Sequence, residues 1–141
     1  MNVAYIVPSL QKPSGWRTHA VAFIRAMSAH VQPVLFVAQA DRDEAKALFP
    51  DFPLFVLPVT QQASLRGLKG MSALFSGWQT IATGDYPSID LVHSLEAYPT
   101  GLLGSWLAEK LRCPHALTSH GTYGVIWHRY LLDRLVYQGV L

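Results

Sequence analysis

The sequence predicts an α/β domain, a mostly parallel sheet with helices on both of its faces. Short apolar segments recur near residues 2–7, 33–38, 53–57, 89–93 and 114–118. Each is short and mainly apolar, as a buried parallel strand must be. Helical patterns lie between them, and right-handed βαβ crossovers join such an order into one sheet.

The elements follow in turn. Val3-Ala4-Tyr5-Ile6-Val7 is the first strand and runs into the loop from Pro8 to Gly15; a helical pattern starts at Trp16. Ala20, Phe23, Ile24 and Met27 recur at i, i+3, i+4 and i+7, the stripe of a helix that packs on a sheet. After the second strand, Asp41-Arg42-Asp43-Glu44 opens a short helix whose acidic start suits both capping and the helix dipole. The segment from Ser64 to Ala82 places Leu68, Met71, Phe75 and Trp78 in a stripe with Arg66 and Lys69 alongside, although Gly67, Gly70 and Gly77 weaken the helix. Two readings stay open there: a helix that faces the core, and a basic amphipathic face that touches a membrane surface. Thr100 to Arg112 is a further helix, with Leu102, Leu103, Trp106, Leu107 and Leu111 as its apolar members. Tyr123 to Leu141 reads as the start of a long helix with no strand after it, so the expectation is half of a larger protein.

Composition narrows the class. A chain of 141 residues, 50% hydrophobic and 14% charged, builds one globular domain with a sizeable core and no repeat, low-complexity tract or linker. A net charge of +2 spread over scattered Lys and Arg argues against nucleic acid as a partner. The lone Cys113 makes no internal disulfide, which points to a reducing compartment. The amino-terminal residues lack the basic stretch and apolar core of a signal peptide, and no apolar run reaches the ~20 residues that cross a bilayer. The expectation is a cytoplasmic protein, with Ser64 to Ala82 as the segment for peripheral contact at the inner membrane face.

Three loops could carry chemistry. In Pro13-Ser14-Gly15-Trp16-Arg17, a glycine between first strand and first helix lets backbone approach a ligand, and the helix amino end attracts phosphate. Neither G-x-G-x-x-G nor a P-loop is present, and a glycine required by a tight turn explains Gly15 equally well. His93-Ser94-Leu95-Glu96 follows the fourth apolar segment, where His93 is a structural hydrogen-bonding or catalytic residue and Glu96 could bind sugar hydroxyls. Thr118-Ser119-His120-Gly121-Thr122-Tyr123-Gly124 follows the fifth; His120 is either a structural histidine of the turn or a group that exchanges a proton or donates a hydrogen bond to a ligand, with Gly121 and Gly124 leaving room beside it.

Other motifs carry less. Asp41-Arg42-Asp43 imitates a D-x-D metal site, but helix capping accounts for it. His120-Gly121 imitates an oxyanion dipeptide, but no G-x-S-x-G elbow supplies a serine nucleophile. Cys113 has no activating partner in sequence, and the histidines show no metal-ligand spacing, so no metal site is expected.

These pieces in this order resemble the amino-terminal domain of the retaining, GT-B fold glycosyltransferases of family 4. The resemblance rests on Val3 to Pro8 as first strand, Pro13-Ser14-Gly15 into Thr18-His19 as glycine loop and first helix, Asp90-Leu91-Val92-His93-Ser94 as the later strand, and Thr118 to Thr122 as the histidine loop. It implies a Rossmann-like domain facing a second, carboxy-terminal domain that holds the nucleotide-sugar. It also implies retaining transfer of a hexosyl-type group from a UDP- or GDP-sugar to a glycan, lipid or small-molecule acceptor, without cofactor or obligatory metal. By the same resemblance His120 is the active-site histidine, and Gly15, Trp16 and Arg17 form the diphosphate and acceptor loop. His93, Glu96, Tyr98, Thr122 and Tyr123 become acceptor contacts. Trp16 departs from the pattern, since the family commonly has a second glycine there. The chain alone is expected to be inactive. The alternatives are a non-catalytic flavodoxin-like or Rossmann-like binding module and a fragment of an α/β-hydrolase.

Overall fold

The structure, a computed structural model, describes residues 1–7, 9–11, 13–58, 68–97 and 99–118. Its elements are β1 (Asn2–Ile6), α1 (Gly15–Met27), β2 (Gln32–Ala38), a 3-10 turn (Gln39–Asp41), α2 (Arg42–Leu48), β3 (Leu54–Leu57), α3 (Leu68–Thr83), β4 (Leu91–Ser94), α4 (Thr100–Leu111) and β5 (His115–Leu117). The strands form one five-stranded sheet in the order β3-β2-β1-β4-β5. Every pair is parallel, and β1 lies at the centre with Ala4 opposite both Val34 and Val92.

The apolar strands are buried on both sides because two separate cores cover them. On one face Val3, Tyr5 and Val7 meet Ala20, Val21 and Ile24 of α1 and Ala45 of α2. On the other, Ala4, Ile6 and Val92 meet Leu74 and Ile81 of α3 and Leu103 and Leu107 of α4. Each such aliphatic side chain contributes about 1.5–3 kcal/mol by leaving water, so a strand buried on both sides tolerates no alternation of polarity. The expected strands and the two amphipathic helices on either side of the sheet are thus all present, with boundaries moved by a residue or two. Helix α1 begins one residue earlier than its apolar pattern, at Gly15, because Ser14 caps it: Ser14 Oγ accepts from the Arg17 N–H at 3.1 Å.

Two local expectations are corrected. The stripe of Met71, Phe75 and Trp78 does not face the core; these residues are 50%, 60% and 45% exposed, and α3 packs through Ala73, Leu74 and Ile81 instead. An apolar helix offers two candidate faces at the same period, and the sheet took the narrower aliphatic one. Asp41 is the second correction. Its side chain makes no capping bond to α2 but turns away to the β1–α1 loop.

The expected helix from Tyr123 to Leu141, and the Arg66 and Gly67 part of the segment before α3, lie outside the described residues. No helix among the described residues is long and apolar enough to cross a membrane.

Candidate functional site

The strand order places a topological switch point between β1 and β4. The chain leaves β1 towards β2 on one side, whereas β4 and β5 extend the sheet on the other. Loops that follow the two central strands therefore diverge and leave a crevice at the carboxyl edge, the position where open α/β sheets bind ligands. The β1–α1 loop with Gly15 lines one side of that edge. Leu95, Glu96 and Ala97 after β4 line the other, and Thr118 after β5 stands next to them.

Gly15 is exposed and is the first residue of α1. Among the described residues no glycine has a positive φ, and a Cβ built at Gly15 meets nothing within 4 Å. Neither backbone conformation nor packing inside the domain requires glycine at this point. What the missing side chain leaves is open space at the amino end of a 13-residue helix, where the positive dipole end favours an anion.

Arg17 and Trp16 follow on the first turn, both partly buried. The Arg17 guanidinium is engaged within the protein: Nε donates to the Leu10 carbonyl at 3.0 Å, and Nη2 forms an ion pair with the Glu44 carboxylate of α2. This places Arg17 behind the loop, as a brace.

His93 sits on the α1 side of β4. Its ring packs edge-on against Phe23, with centroids 5.3 Å apart, and tilted against Tyr5 at 5.7 Å. Burial, and then the nearby His115, hold its pKa below the ordinary histidine value, so the neutral ring is favoured. Nε2 lies 2.7 Å from Thr118 Oγ1. That contact, together with the Thr118 N–H donating to the Ser94 carbonyl at 2.9 Å, pins the start of the histidine loop beside β4.

Buried Ser94 and partly buried His115 form a pair on the opposite face. The Ser94 hydroxyl proton goes to the Thr100 carbonyl at 3.0 Å, so the His115 Nε2–H donates to Ser94 Oγ at 2.9 Å. In the sequence Ser94 and Thr118 stand only as members of their motifs, and His115 not at all, since the partner of a single polar side chain in a short strand leaves no spacing signal.

Glu96 is partly buried at the crevice, and desolvation pushes its carboxyl up to about 7. A carboxyl poised there can donate a hydrogen bond as the acid or accept one as the anion near neutral pH. The Glu96 carbonyl accepts from Thr100 Oγ1 at 2.6 Å, which ties the turn to the start of α4. Tyr98, His120, Thr122 and Tyr123 lie outside the described residues. Cys113 is unpaired, and burial first of all pushes its thiol up rather than activating it. Among the described residues no three His, Cys, Asp or Glu side chains gather in a way that would hold a metal ion.

The family model described as glycosyl transferase 4-like domain matches residues 14–140. The chain belongs to that family. Among curated proteins, an uncharacterized glycosyltransferase of Methanocaldococcus jannaschii is 40% identical over 76 residues, a match that spans 52% of this chain and 21% of the relative. The shared stretch is thus about a fifth of that relative's length. The motif resemblance and the family match agree, and the five-stranded parallel sheet is the Rossmann-like arrangement of a GT-B amino-terminal domain. Within this glycosyl transferase 4-like domain, the Gly15 loop and the Glu96 turn occupy the two sides of the switch point.

Proposed function

We propose that this domain is the acceptor-side half of a retaining glycosyltransferase, which moves a sugar from a UDP- or GDP-sugar to a glycan, lipid or small-molecule acceptor. The observation that carries the reading is Gly15: a glycine that neither φ nor packing demands stands at a helix amino end beside the switch-point crevice. Close approach of a ligand to the backbone is the remaining physical reason for it. A diphosphate fits, because the positive dipole end of α1 acts on its negative charge and Gly15 lets it come close to the backbone.

The other residues take roles from their chemistry. Glu96, near its midpoint at neutral pH, hydrogen-bonds an acceptor hydroxyl across the crevice, with His93 behind it as a neutral, packed ring. His120 would orient the transferred sugar and donate to charge that develops in the transition state. Tyr98, Thr122 and Tyr123 complete the acceptor side in this reading. A second, carboxy-terminal domain would grip the nucleotide, and the chemistry calls for no cofactor and no obligatory metal.

The test uses the full-length protein with UDP- and GDP-sugars. Transfer with retained anomeric configuration, followed by NMR, is the expected result, and His120→Ala is expected to reduce kcat at least 100-fold. Wild-type rates in His120→Ala would remove the catalytic role; inversion at the anomeric carbon would remove the retaining mechanism.

One further observation favours peripheral membrane contact. Met71, Phe75 and Trp78 form an exposed stripe on α3, and between Asp51 and Asp85 the charged residues are Arg66 and Lys69 alone. An aromatic face on an acid-free segment is complementary to an anionic lipid surface.

A further inference from the structure

The loop between β1 and α1 is held by groups that come from β2 and α2, far away in sequence. Asp41 lies in the 3-10 turn after β2 and is 1% exposed. Its Oδ1 accepts from the Leu10 N–H at 3.0 Å and from Ser9 Oγ at 3.2 Å. Beside it, Gln11 Nε2 donates to the Ala40 carbonyl at 2.9 Å. Leu10 itself is 1% exposed and plugs into the core on the α1 face. From the other side, Arg17 donates Nε to the Leu10 carbonyl at 3.0 Å and braces against Glu44. Both backbone polar groups of Leu10 are thus engaged by side chains, one from each neighbouring helix region.

A buried carboxyl that is absent from its own helix cap needs another reason to be there, since burying such a group is costly without partners. The loop supplies that reason. Residues 9–11 take no part in the sheet, and without Asp41 the Leu10 N–H would be a buried donor with no acceptor. Because Ser14, the cap of α1, stands three residues after this anchored stretch, where Leu10 is held also decides where Gly15 and the first turn of α1 stand over the sheet edge.

We infer that Asp41 is a positioning residue: its carboxyl, with Arg17 as counter-brace, fixes the β1–α1 loop and so places the amino end of α1 for the ligand. The effect on ligand rests on the glycosyl-transfer reading; the anchoring of the loop does not. Asp41→Ala would leave the Leu10 N–H unpaired and free the loop, whereas Asp41→Asn keeps a side-chain oxygen in the same place. Arg17→Met would loosen the same loop from its partly exposed side.

The experiment compares wild type, Asp41→Ala, Asp41→Asn and Arg17→Met in the full-length protein by hydrogen exchange and by kinetics with UDP-glucose and GDP-mannose. Expected is at least tenfold faster exchange at Leu10 and Arg17 in Asp41→Ala, near wild-type exchange in Asp41→Asn, and unchanged exchange in β1 and β2 amides. Expected with it is a donor KM raised at least tenfold against a kcat within about threefold, restored in Asp41→Asn. If Asp41→Ala does not fold, Arg17→Met carries the same expectation. Wild-type protection of Leu10 in the folded variants, or a loosened loop with unchanged KM, overturns the inference. A wild-type protein that transfers no sugar sinks the glycosyl-transfer reading instead, and the exchange result then decides the anchor alone.

Discussion

Gly104 of α4 lies directly over Ser94 of β4: a Cβ at position 104 would stand 2.0 Å from Ser94 Oγ and 2.8 Å from His115 Nε2. The helix can approach the sheet this closely because Gly104 has no side chain; the hydrogen-bonded Ser94–His115 pair fills the space one would need. Gly104→Ala should therefore destabilise the domain by about 2 kcal/mol despite a gain in helix propensity of about 1 kcal/mol. Urea unfolding measures it. Ser94→Ala in the same background removes the nearer contact, so the double variant should cost less than the sum of the single ones.

Glu96 makes stability depend on pH with a definite sign. Its folded pKa, about 7, lies above the unfolded value near 4.5, so its contribution is complete below about pH 4.5 and is lost as pH rises towards 7. His93 and His115, whose pKa values are lowered chiefly by burial, act in the opposite direction: their contribution holds above about pH 6.5 and falls away on acidification. Comparing wild type with Glu96→Gln separates the two trends. Gln should stabilise by about 1–2 kcal/mol at pH 8, after discount for the partial exposure of the carboxyl, and by little at pH 4. Equal stabilities at pH 8 would contradict the desolvated placement of Glu96.

Arg112 ends α4 in the left-handed region, at φ 53 and ψ 43, and its side chain is exposed. Glycine adopts this conformation without steric cost, and helices commonly end with it. Arg112→Gly should raise stability by about 0.5–1 kcal/mol, visible as a higher urea midpoint with an unchanged slope.

Phe75 and Trp78 lie on the outward face of α3 with ring centroids 5.7 Å apart. Replacing both by Ser should leave the unfolding midpoint nearly unchanged, since neither belongs to the core. Membrane contact predicts that the wild-type protein sediments with phosphatidylglycerol vesicles, less with phosphatidylcholine vesicles and less at high salt, and that the double variant stays in the supernatant. Equal sedimentation of wild type and variant would assign the exposed stripe elsewhere.

Much of the fold was legible because its signals are local. Segments such as Val3 to Val7 carry their burial in their own composition, and Ala20, Phe23, Ile24 and Met27 carry helical period within two turns. The same kind of reading could not decide α3. Met71, Phe75 and Trp78 repeat as convincingly as a core stripe, and only the packing of Leu74 and Ile81 on the sheet shows that they face out. Asp41 failed for a related reason: as an acid before a helix it reads as a cap, while its actual partners, Ser9 and Leu10, lie 32 and 31 residues away.

The candidate site divides along the same line. The sequence by itself determined the loops that carry Gly15 and Glu96, since each follows an apolar run that must be buried, and it carried the family resemblance in their order. Only the tertiary structure decided that the Gly15 and Glu96 loops flank one crevice, because adjacency of β1 and β4 is a matter of sheet order, not of spacing along the chain. It also decided that Arg17 braces the loop from behind and that Glu96 titrates near neutrality. Both depend on what surrounds a side chain after folding, and desolvation and long-range hydrogen bonds leave no mark on the neighbouring letters.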